Sequence, residues 1–284
     1  MKNDVRKTCI FVEITNSNKG MTTYTTTRIV FFSPTHTSAR IARAIGEGIG
    51  MNRRIETDLT LDESDTSLDI HEELTVIAAP VYGGRIAPVA LQRIKRLQGH
   101  QSPAILVAVY GNRDYEDALL ELRDTAIEAG FTPLSAAAFI GEHSYSRPDL
   151  PIAAGRPDEA DLQQARRFGT DSLKKLETQG FEALTSHTLY VKGNFPYKPF
   201  ALRSSDIPVC NDLCCACGIC IEVCPTHALH LNKAGDAIET DAERCIKCCA
   251  CVKECPNEAR ILRPPFAQIL HEKCSERKEP EFFL

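Results

Sequence analysis

Cysteine is concentrated in the last quarter of this 284-residue chain: of 13 cysteines, all but Cys9 lie between Cys210 and Cys274. Two runs, at residues 214–225 and 245–256, share the spacing Cys-x2-Cys-x2-Cys-x3-Cys-Pro, and the second begins 31 residues after the first. A fixed period of this kind indicates a duplicated structural unit. Clustered cysteines in a chain without a secretory leader indicate metal or redox chemistry.

The spacing within each run selects among the possible uses of cysteine. Three closely spaced thiolates followed by a fourth just before a proline can meet the corners of an iron-sulfur cube. A zinc site instead needs two separated cysteine pairs that face one tetrahedral ion, and stable disulfides are rare in the cytoplasm. The runs therefore favour two [4Fe-4S] clusters over both alternatives.

The two runs resemble the bacterial two-cluster ferredoxins, and the resemblance covers residues 208–264. In that family the fourth cysteine of each run binds the cluster of the other run, so the resemblance implies two crossed ligand sets. The sets are Cys214, Cys217, Cys220 and Cys255 for one cluster, and Cys245, Cys248, Cys251 and Cys224 for the other. Such a short piece buries too little core to fold alone, and two shared clusters would supply the missing cross-links.

Four further cysteines of this region match no ligand position: Cys210, Cys215, Cys249 and Cys274. Each could be a reserve ligand or a redox thiol, but a free cysteine is commonly a small buried apolar side chain. That second interpretation is favoured for Cys215 and Cys249, which adjoin ligand positions. The sequence does not decide between the two for Cys210 and Cys274.

The composition is that of an ordinary soluble globular protein, with 43% hydrophobic and 25% charged residues, and the length predicts two domains. A formal net charge of -5 disfavours nucleic acid as a partner. The longest apolar run, at residues 74–82, is far shorter than the roughly 20 residues of a membrane helix. Because the N-terminus also lacks a secretory signal, we expect a cytoplasmic protein without a membrane span.

Short apolar runs alternate with longer amphipathic segments after residue 27, a pattern typical of a parallel sheet wrapped by helices. Strands are predicted at residues 28–33, 53–57, 74–80, 104–110 and 133–140, and helices at 37–49, 88–97, 115–129 and 158–179. The predicted fold class is α/β, a doubly wound five-stranded parallel sheet. A small α+β two-cluster ferredoxin domain would follow it.

Five segments are predicted along the chain. They are an N-terminal extension at 1–27, the α/β domain at 28–183, an aromatic-rich linker at 184–207, the ferredoxin domain at 208–264 and a charged, partly loose tail at 265–284. Because free linkers are poor in aromatic residues, we expect the linker to pack on a domain surface.

Ligands of a doubly wound sheet bind at the carboxyl ends of its strands, so three loops are candidates for a binding site. Hydroxyl groups directly before the first helix predict a phosphate site that needs no cationic side chain, whereas simple helix capping would explain one hydroxyl only. The two later loops offer aromatic planes beside glycines, where a flat ring could stack. The candidate binding residues are Ser33, Thr35, His36, Thr37, Ser38, Pro80, Tyr82, Gly83, Gly84, Tyr110, Gly111, Asn112 and Tyr115.

These loops resemble those of the flavodoxins over residues 28–180, and the whole chain resembles the flavodoxin-ferredoxin fusion proteins of anaerobic bacteria and archaea. The phosphate loop of that family is matched at Ser33, Thr35 and Thr37 and departs at His36, where the family usually has glycine. The resemblance implies FMN as a cofactor. It also implies that residues 82–84 and 110–112 line the isoalloxazine ring.

The sequence does not decide the roles of three further side chains near these loops. His143 follows the fifth predicted strand and could reach the ligand, although a single loop histidine is usually solvated. Arg85 and Arg113 could stabilise a reduced, anionic flavin or simply face water, and the sequence favours neither role.

The function expected from these features is electron transfer between FMN and two [4Fe-4S] clusters, in anaerobic redox metabolism, with the chemistry residing in the cofactors. A flavin accepts two electrons and releases them singly, while each cluster carries one. Whether the chain is also an enzyme stays open. The alternatives are a flavin-dependent reductase of a small substrate fed by the clusters, and a ferredoxin module on a flavin-free docking scaffold, which His36 would favour.

The charge of the ferredoxin segment predicts its partner. Nine acidic and six basic side chains lie at residues 206–264, and each oxidised cluster with four thiolates would add about -2. Such a field would steer the module toward a basic face on a redox partner protein.

Overall fold

The computed structural model describes residues 24–200 and 206–284. The N-terminal extension predicted at 1–27 lies outside the described residues up to position 23, as does Cys9. The helices of the structure are α1 (Thr37–Ile49), α2 (Pro88–Ile94), α3 (Ala118–Glu128), α4 (Glu159–Gln179), α5 (Phe181–Thr185), α6 (Ile219–Glu222), α7 (Ala250–Lys253) and α8 (Phe266–Lys273). The strands are β1 (Thr26–Phe31), β2 (Arg53–Asp58), β3 (Leu68–Asp69), β4 (Leu74–Tyr82), β5 (Arg85–Ile86), β6 (Leu97–Gln98), β7 (Pro103–Tyr110), β8 (Thr132–Ile140), β9 (Val209–Cys210), β10 (Leu229–Leu231), β11 (Ile238–Thr240), β12 (Arg260–Ile261) and β13 (Glu281–Phe283).

A parallel sheet forms the centre of the first domain, in the order β2-β1-β4-β7-β8. Numbered along the chain, its five long strands therefore run 2-1-3-4-5, which is the flavodoxin-like doubly wound order. The central strands are buried on both faces because helices cover both sides, and this explains their nearly continuous apolar sequences. The chain reverses direction across the sheet at β1 and β4, so a ligand cleft is expected at their carboxyl ends.

Helices α1 and α4 cover one face of the sheet and helices α2 and α3 the other. The backbones of α1 and α4 approach closely at Gly48 and Gly169, where an added Cβ would overlap the carbonyl oxygens of Arg166 and Ile45, respectively. These glycines allow close helix packing, which is a structural role.

The tail is ordered, and the expectation of a partly loose segment from residue 265 is wrong. Strand β13 pairs antiparallel with β8 and extends the sheet by one edge strand. The Phe282 ring stacks on Phe168 at 5.1 Å and lies edge-on to Phe139 at 5.6 Å. Helix α8 buries Ala267 and Leu270. Apolar residues spaced among the charges thus hold the tail against the first domain.

The aromatic-rich segment packs on helix α3 in the part that the structure describes, up to Phe200. Tyr197 donates its hydroxyl to the Asp124 carboxylate at 2.6 Å, and the Arg85 guanidinium lies 4.8 Å from its ring centre. The Asp117 carboxylate accepts the backbone N–H groups of Asn194 and Lys198, both at 2.8 Å. The chain therefore enters the second domain from a fixed position.

The second domain is a small α+β unit in which β9 pairs with β12 and β10 with β11, both antiparallel. The single-turn helices α6 and α7 contain the third cysteine of each run, Cys220 and Cys251. Its two halves have matching elements, as expected for a duplicated sequence.

Candidate functional site

The eight cysteines of the two runs surround two separate cavities in the second domain. One cavity is lined by Cys214, Cys217, Cys220 and Cys255 together with Cys215, and the other by Cys224, Cys245, Cys248 and Cys251 together with Cys249. The fourth cysteine of each run thus lies with the first three cysteines of the other run. The eight thiols at the expected ligand positions thus fall on two cavities, each of which has one further cysteine in its wall.

The spacing of these sulfurs fits a cluster better than a single ion. Among the described residues, no three cysteine sulfurs lie within 4.8 Å of one another, whereas thiolates about 2.3 Å from one tetrahedral zinc ion would. The only described group of three ligand atoms within that distance is Asp69, His71 and His100, which are exposed side chains beside the short strands β3 and β6.

The backbone around the cavities repeats with the period of the sequence. Left-handed residues recur in pairs 31 positions apart: Ala216 with Lys247, Gly218 with Cys249, and His227 with Glu258. The fourth thiol of each run accepts a backbone N–H, Cys224 from Ala228 at 3.3 Å and Cys255 from Ala259 at 3.2 Å. Such turns direct backbone N–H groups toward bound anions, a suitable environment for iron-bound thiolates.

The other cysteines lie in four different environments. Cys215 is exposed and accepts a hydrogen bond from the Asn257 amide at 3.1 Å, whereas Cys249 is buried and burial raises the pKa of its thiol well above the usual value. Cys274 is buried against the first domain. The Cys210 sulfur lies 3.3 Å from that of Cys214 and accepts from the Arg260 guanidinium at 3.3 Å.

Arg260 is a site residue that the sequence reasoning missed. It is 2% exposed and donates to the carbonyl oxygens of Ile238 at 3.0 Å and Pro208 at 2.9 Å. It lines the first cavity, and its charge also acts on the Cys251 thiol of the second cysteine group. A signal was available, because the equivalent position of the first run is the buried apolar Leu229.

A cleft lies at the carboxyl ends of β1, β4, β7 and β8, where the strand order predicts it. The empty space in the cleft and at its mouth is about 910 Å³, a figure that includes open solvent. The predicted residues that line it are Thr35, Thr37, Pro80, Tyr82, Gly83, Tyr110 and Gly111. Of the loop 141–145, the sequence analysis named only His143 as a possible contact. It missed Ile246 and Lys247 from the second cysteine run, and Phe266 and Leu270 from α8.

The first loop brings Thr35 and Thr37, but not Ser33 and Ser38, to the cleft. The Ser33 hydroxyl accepts the Ala39 N–H at 3.0 Å, inside the turn that starts α1. Ser38 is fully buried, and its hydroxyl has no partner among the described residues. His36 has φ 64° and ψ -6°, so it adopts the left-handed conformation for which glycine is the usual residue. Histidine at this position is therefore compatible with the turn.

Three predicted ring contacts lie away from the cleft. Gly84 packs against the Glu116 side chain, so it faces the start of α3. Asn112 is buried and donates to the carbonyl oxygens of Cys274 and Glu276, both at 2.7 Å. Tyr115 donates its hydroxyl to Glu281 at 2.6 Å. Asn112 and Tyr115 hold the tail against the first domain.

His143 lies in the cleft, in van der Waals range of Gly111, where an added Cβ would overlap its ring. Its Nδ1 accepts the Tyr145 N–H at 3.0 Å, which leaves Nε2 to carry the proton of the neutral ring. Burial, reinforced by the positive charges of Arg113 and Lys253, lowers the pKa of His143 to about 4. The imidazole is therefore neutral at pH 7.

The cleft and the second cysteine group are neighbours. Ile246 lines both cavities. Burial, followed by the nearby thiols of Cys248 and Cys249, raises the pKa of Tyr82 well above the usual value. Tyr82 thus stays protonated and forms part of the partition between the two sites.

Polar contacts between the domains surround this partition. The Lys253 ammonium contacts the Glu142 carboxylate at 2.5 Å and the Ser146 carbonyl oxygen at 2.9 Å. His36 lies 3.1 Å from Glu254, and the buried Arg93 donates to the Pro225 carbonyl oxygen at 2.7 Å. The second domain is thereby held over the end of the sheet where the cleft lies.

Comparison with known proteins identifies the second domain. Residues 211–230 and 238–261 match the family described as 4Fe-4S binding domain. No curated protein matches the chain.

Solved structures that resemble the chain include a flavodoxin from the domain Archaea, with 15% identity and a TM-score of 0.34, covering 54% of this chain and 99% of that one. A flavodoxin, WrbA-like protein from Agrobacterium tumefaciens has 14% identity and a TM-score of 0.34, over 55% of this chain and 98% of that one. Rubredoxin oxygen:oxidoreductase from Desulfovibrio gigas has 15% identity and a TM-score of 0.36, over 57% of this chain and 37% of that one. The fold of the first domain follows from its strand order and not from these likenesses.

The chain therefore combines a flavodoxin-like α/β domain with a C-terminal 4Fe-4S binding domain. A 4Fe-4S domain gives the protein a redox role in electron transfer. Within residues 24–200 and 206–284, no helix is both long and apolar enough to cross a bilayer.

Proposed function

We propose that this protein transfers electrons between FMN, bound in the cleft of the first domain, and two [4Fe-4S] clusters in the second. The observation that carries this proposal is the wall shared by the cleft and the second cysteine group, at Ile246. A flavin in the cleft and a cluster among Cys224, Cys245, Cys248 and Cys251 would be separated by little more than one layer of side chains. The flavin would supply two-electron chemistry and the clusters one-electron steps.

The donors at one end of the cleft fit the FMN phosphate. Thr35 and Thr37 offer hydroxyl groups, and the first-turn N–H groups of Thr37 and Ser38 have no acceptor among the described residues. Unpaired amides at a helix N-terminus together with hydroxyl donors favour an anion. His36 adopts the left-handed conformation for which glycine is the usual residue, which supports a flavodoxin-like phosphate loop at this place.

The other end of the cleft fits an isoalloxazine ring. Tyr82 and Tyr110 provide aromatic walls, and Gly83 has φ 62° without a side chain. Tyr145, Phe266 and Leu270 also line the cleft. These apolar and aromatic side chains favour the binding of a flat ring.

The cysteine groups fit two [4Fe-4S] clusters with crossed ligation. Five thiols line each cavity, and four of them hold the ligand positions of the two runs. The fourth cysteine of each run accepts a backbone N–H group, and a buried arginine offsets part of the negative charge. We also propose that the acidic second domain docks on a redox partner protein with a basic face.

Anaerobic reconstitution of the full chain tests the proposal. We expect the iron and sulfide of two [4Fe-4S] clusters and one FMN per chain. Cys217→Ser and Cys248→Ser should each remove the iron of one cluster, because the two thiols lie in different groups. Cys215→Ala is the matched control and should leave the iron content unchanged, since Cys215 stands outside the repeated four-cysteine spacing and its sulfur accepts a hydrogen bond from the Asn257 amide.

Two results would contradict the assignment. Equal iron loss in all three variants would show that Cys215 is a ligand as well. A chain that takes up both clusters but no flavin would be a ferredoxin module on a docking scaffold.

A further inference from the structure

The phosphate end of the cleft is built by both domains. Thr35, Thr37 and Arg40 line a small pocket there from the first domain, and Lys253 and Glu254, at the end of α7, line it from the second. A phosphate held by the two threonines would therefore meet the second cysteine run. The sequence predicts a site without any cationic side chain, but three line this pocket: Arg40, Lys253 and Arg156, the last of which is ion-paired with Asp161.

Each of the two carboxylates that line the pocket contacts a nitrogen-bearing side chain. Glu142 contacts the Lys253 ammonium, and Glu254 lies 3.1 Å from the His36 ring. Arg40 has no ion-pair partner among the described residues. The Lys253 ammonium group has three N–H groups, and it donates to the Glu142 carboxylate and the Ser146 carbonyl oxygen. One N–H group therefore remains for an anion.

We infer that Lys253 binds the FMN phosphate together with Thr35 and Thr37, and that FMN affinity is thereby linked to the folded state of the 4Fe-4S domain. This inference rests on the proposed function, since it concerns the same FMN. Lys253 lies between Cys251 and Cys255, which belong to different cysteine groups. Its position thus depends on both cavities, and loss of the clusters should release the phosphate contact.

Linkage makes the effect reciprocal. If cluster loading strengthens FMN binding, FMN must strengthen retention of the clusters by the same factor. The chain would then take up its two kinds of cofactor cooperatively, and the flavin would be held tightly only when an electron acceptor is beside it.

Comparison of FMN with riboflavin tests the role of Lys253, because riboflavin lacks the phosphate. In the reconstituted full chain, Lys253→Met should weaken FMN binding by on the order of tenfold to a hundredfold, the usual range for a lost charge-assisted hydrogen bond. Riboflavin affinity should stay unchanged, and Lys253→Arg should restore much of the FMN affinity. Lys233→Met, which removes an exposed lysine of the same domain, is the matched control and should bind both flavins normally.

Each other outcome overturns a defined part of the reasoning. Equal weakening of FMN and riboflavin would make Lys253 an interdomain tether only, and unchanged FMN affinity would place the phosphate elsewhere. Absence of binding of either flavin by the unmodified chain would overturn the proposed function, and this inference with it.

Removal of iron by a chelator tests the linkage. The iron-free chain should bind FMN more weakly than the reconstituted chain, and removal of iron should affect riboflavin affinity less. In Lys253→Met, removal of iron should affect the affinities for FMN and riboflavin equally. Conversely, FMN should slow iron loss to the chelator in the unmodified chain. Identical FMN affinity with and without iron would overturn the linkage.

Discussion

After the cysteines, Arg260 should contribute more than any other residue to the stability of the second domain. Its guanidinium donates to Pro208 and Ile238 carbonyl oxygens, to the Thr240 hydroxyl and to the Cys210 sulfur. These acceptors belong to or adjoin β9 and β11, so one side chain joins the two antiparallel pairs. The pairs themselves are short, because β9 pairs with β12 over two residues and β10 with β11 over three.

The expected cost of Arg260→Met follows from these bonds. Breaking a buried charged network by removing one partner costs about 3 to 5 kcal/mol, part of which the lost desolvation of the guanidinium offsets. Buried carbonyl oxygens left without donors cost about 1 to 3 kcal/mol each. We therefore expect the free energy of opening of the second domain to fall by about 3 kcal/mol, which is a factor of roughly a hundred in its equilibrium constant.

Hydrogen exchange of the reconstituted full chain measures this opening strand by strand. Amides of β9 to β12 should exchange about a hundredfold faster in Arg260→Met, while those of β4 and β7 should be unaffected. Arg263→Met, which removes an exposed arginine three positions later, is the matched control. Equal protection in the two variants would refute the argument that Arg260 holds the strand pairs together.

Four further predictions concern the first domain, the tail and the partner. Thr35→Ala and Thr37→Ala should each weaken FMN binding by about 1.5 to 3 kcal/mol in a fluorescence titration, and unchanged affinity in both would place the phosphate elsewhere. Burial lowers the pKa of His143 to about 4, so as the pH falls below 6.5 the histidine takes up a proton in the unfolded chain while it is still neutral in the folded protein. The free energy of unfolding should therefore decrease as the pH falls from about 6.5 to 4. Urea unfolding should show this decrease, about 2 to 3 kcal/mol, and the decrease should be smaller in His143→Gln. The same pH dependence of stability in the variant and the unmodified chain would contradict a lowered pKa of His143. Phe282→Ala should lower the free energy of unfolding by about 2 kcal/mol, because Phe282 stacks on Phe168 and is only 41% exposed. Phe195 is 79% exposed, so Phe195→Ala should leave the free energy of unfolding nearly unchanged. Reduction of the clusters by an external partner should slow between about 0.01 and 0.5 M salt in stopped-flow traces, and a flat rate would show that docking does not use this charge.

The strands and helices of the first domain were predictable because their signals are local. Helix α1 occupies Thr37–Ile49, as the periodicity predicts, and β4 extends the predicted strand by two residues to Tyr82. Strand β13 has three residues, too few for a periodic signal, and its stability comes from Phe139 and Phe168, far away in the sequence. The tail was therefore misjudged from its charge.

The location of the candidate site was predictable, because the fold topology determines where the cavities and the cleft lie. Cysteine spacing and strand order together locate the two cavities and the cleft. They do not decide which loop side chains face inward: Asn112 and Tyr115 turn toward the tail, and no sequence signal marks that partner. Nor does a sequence pattern reveal that Ile246 and Lys253 reach the first domain, because docking of two domains depends on the whole of both surfaces.

The path of the chain explains how a small domain can hold a fixed place over the cleft. Before it, Tyr197 and Lys198 are bound to Asp124 and Asp117 of the first domain. After it, α8 lines the cleft and β13 joins the sheet. Tethering at both ends makes docking of the two domains intramolecular, so it does not depend on diffusion or long-range steering. Internal transfer between flavin and cluster should therefore be independent of salt, while transfer to a separate partner should not, and the two steps can be separated by ionic strength alone.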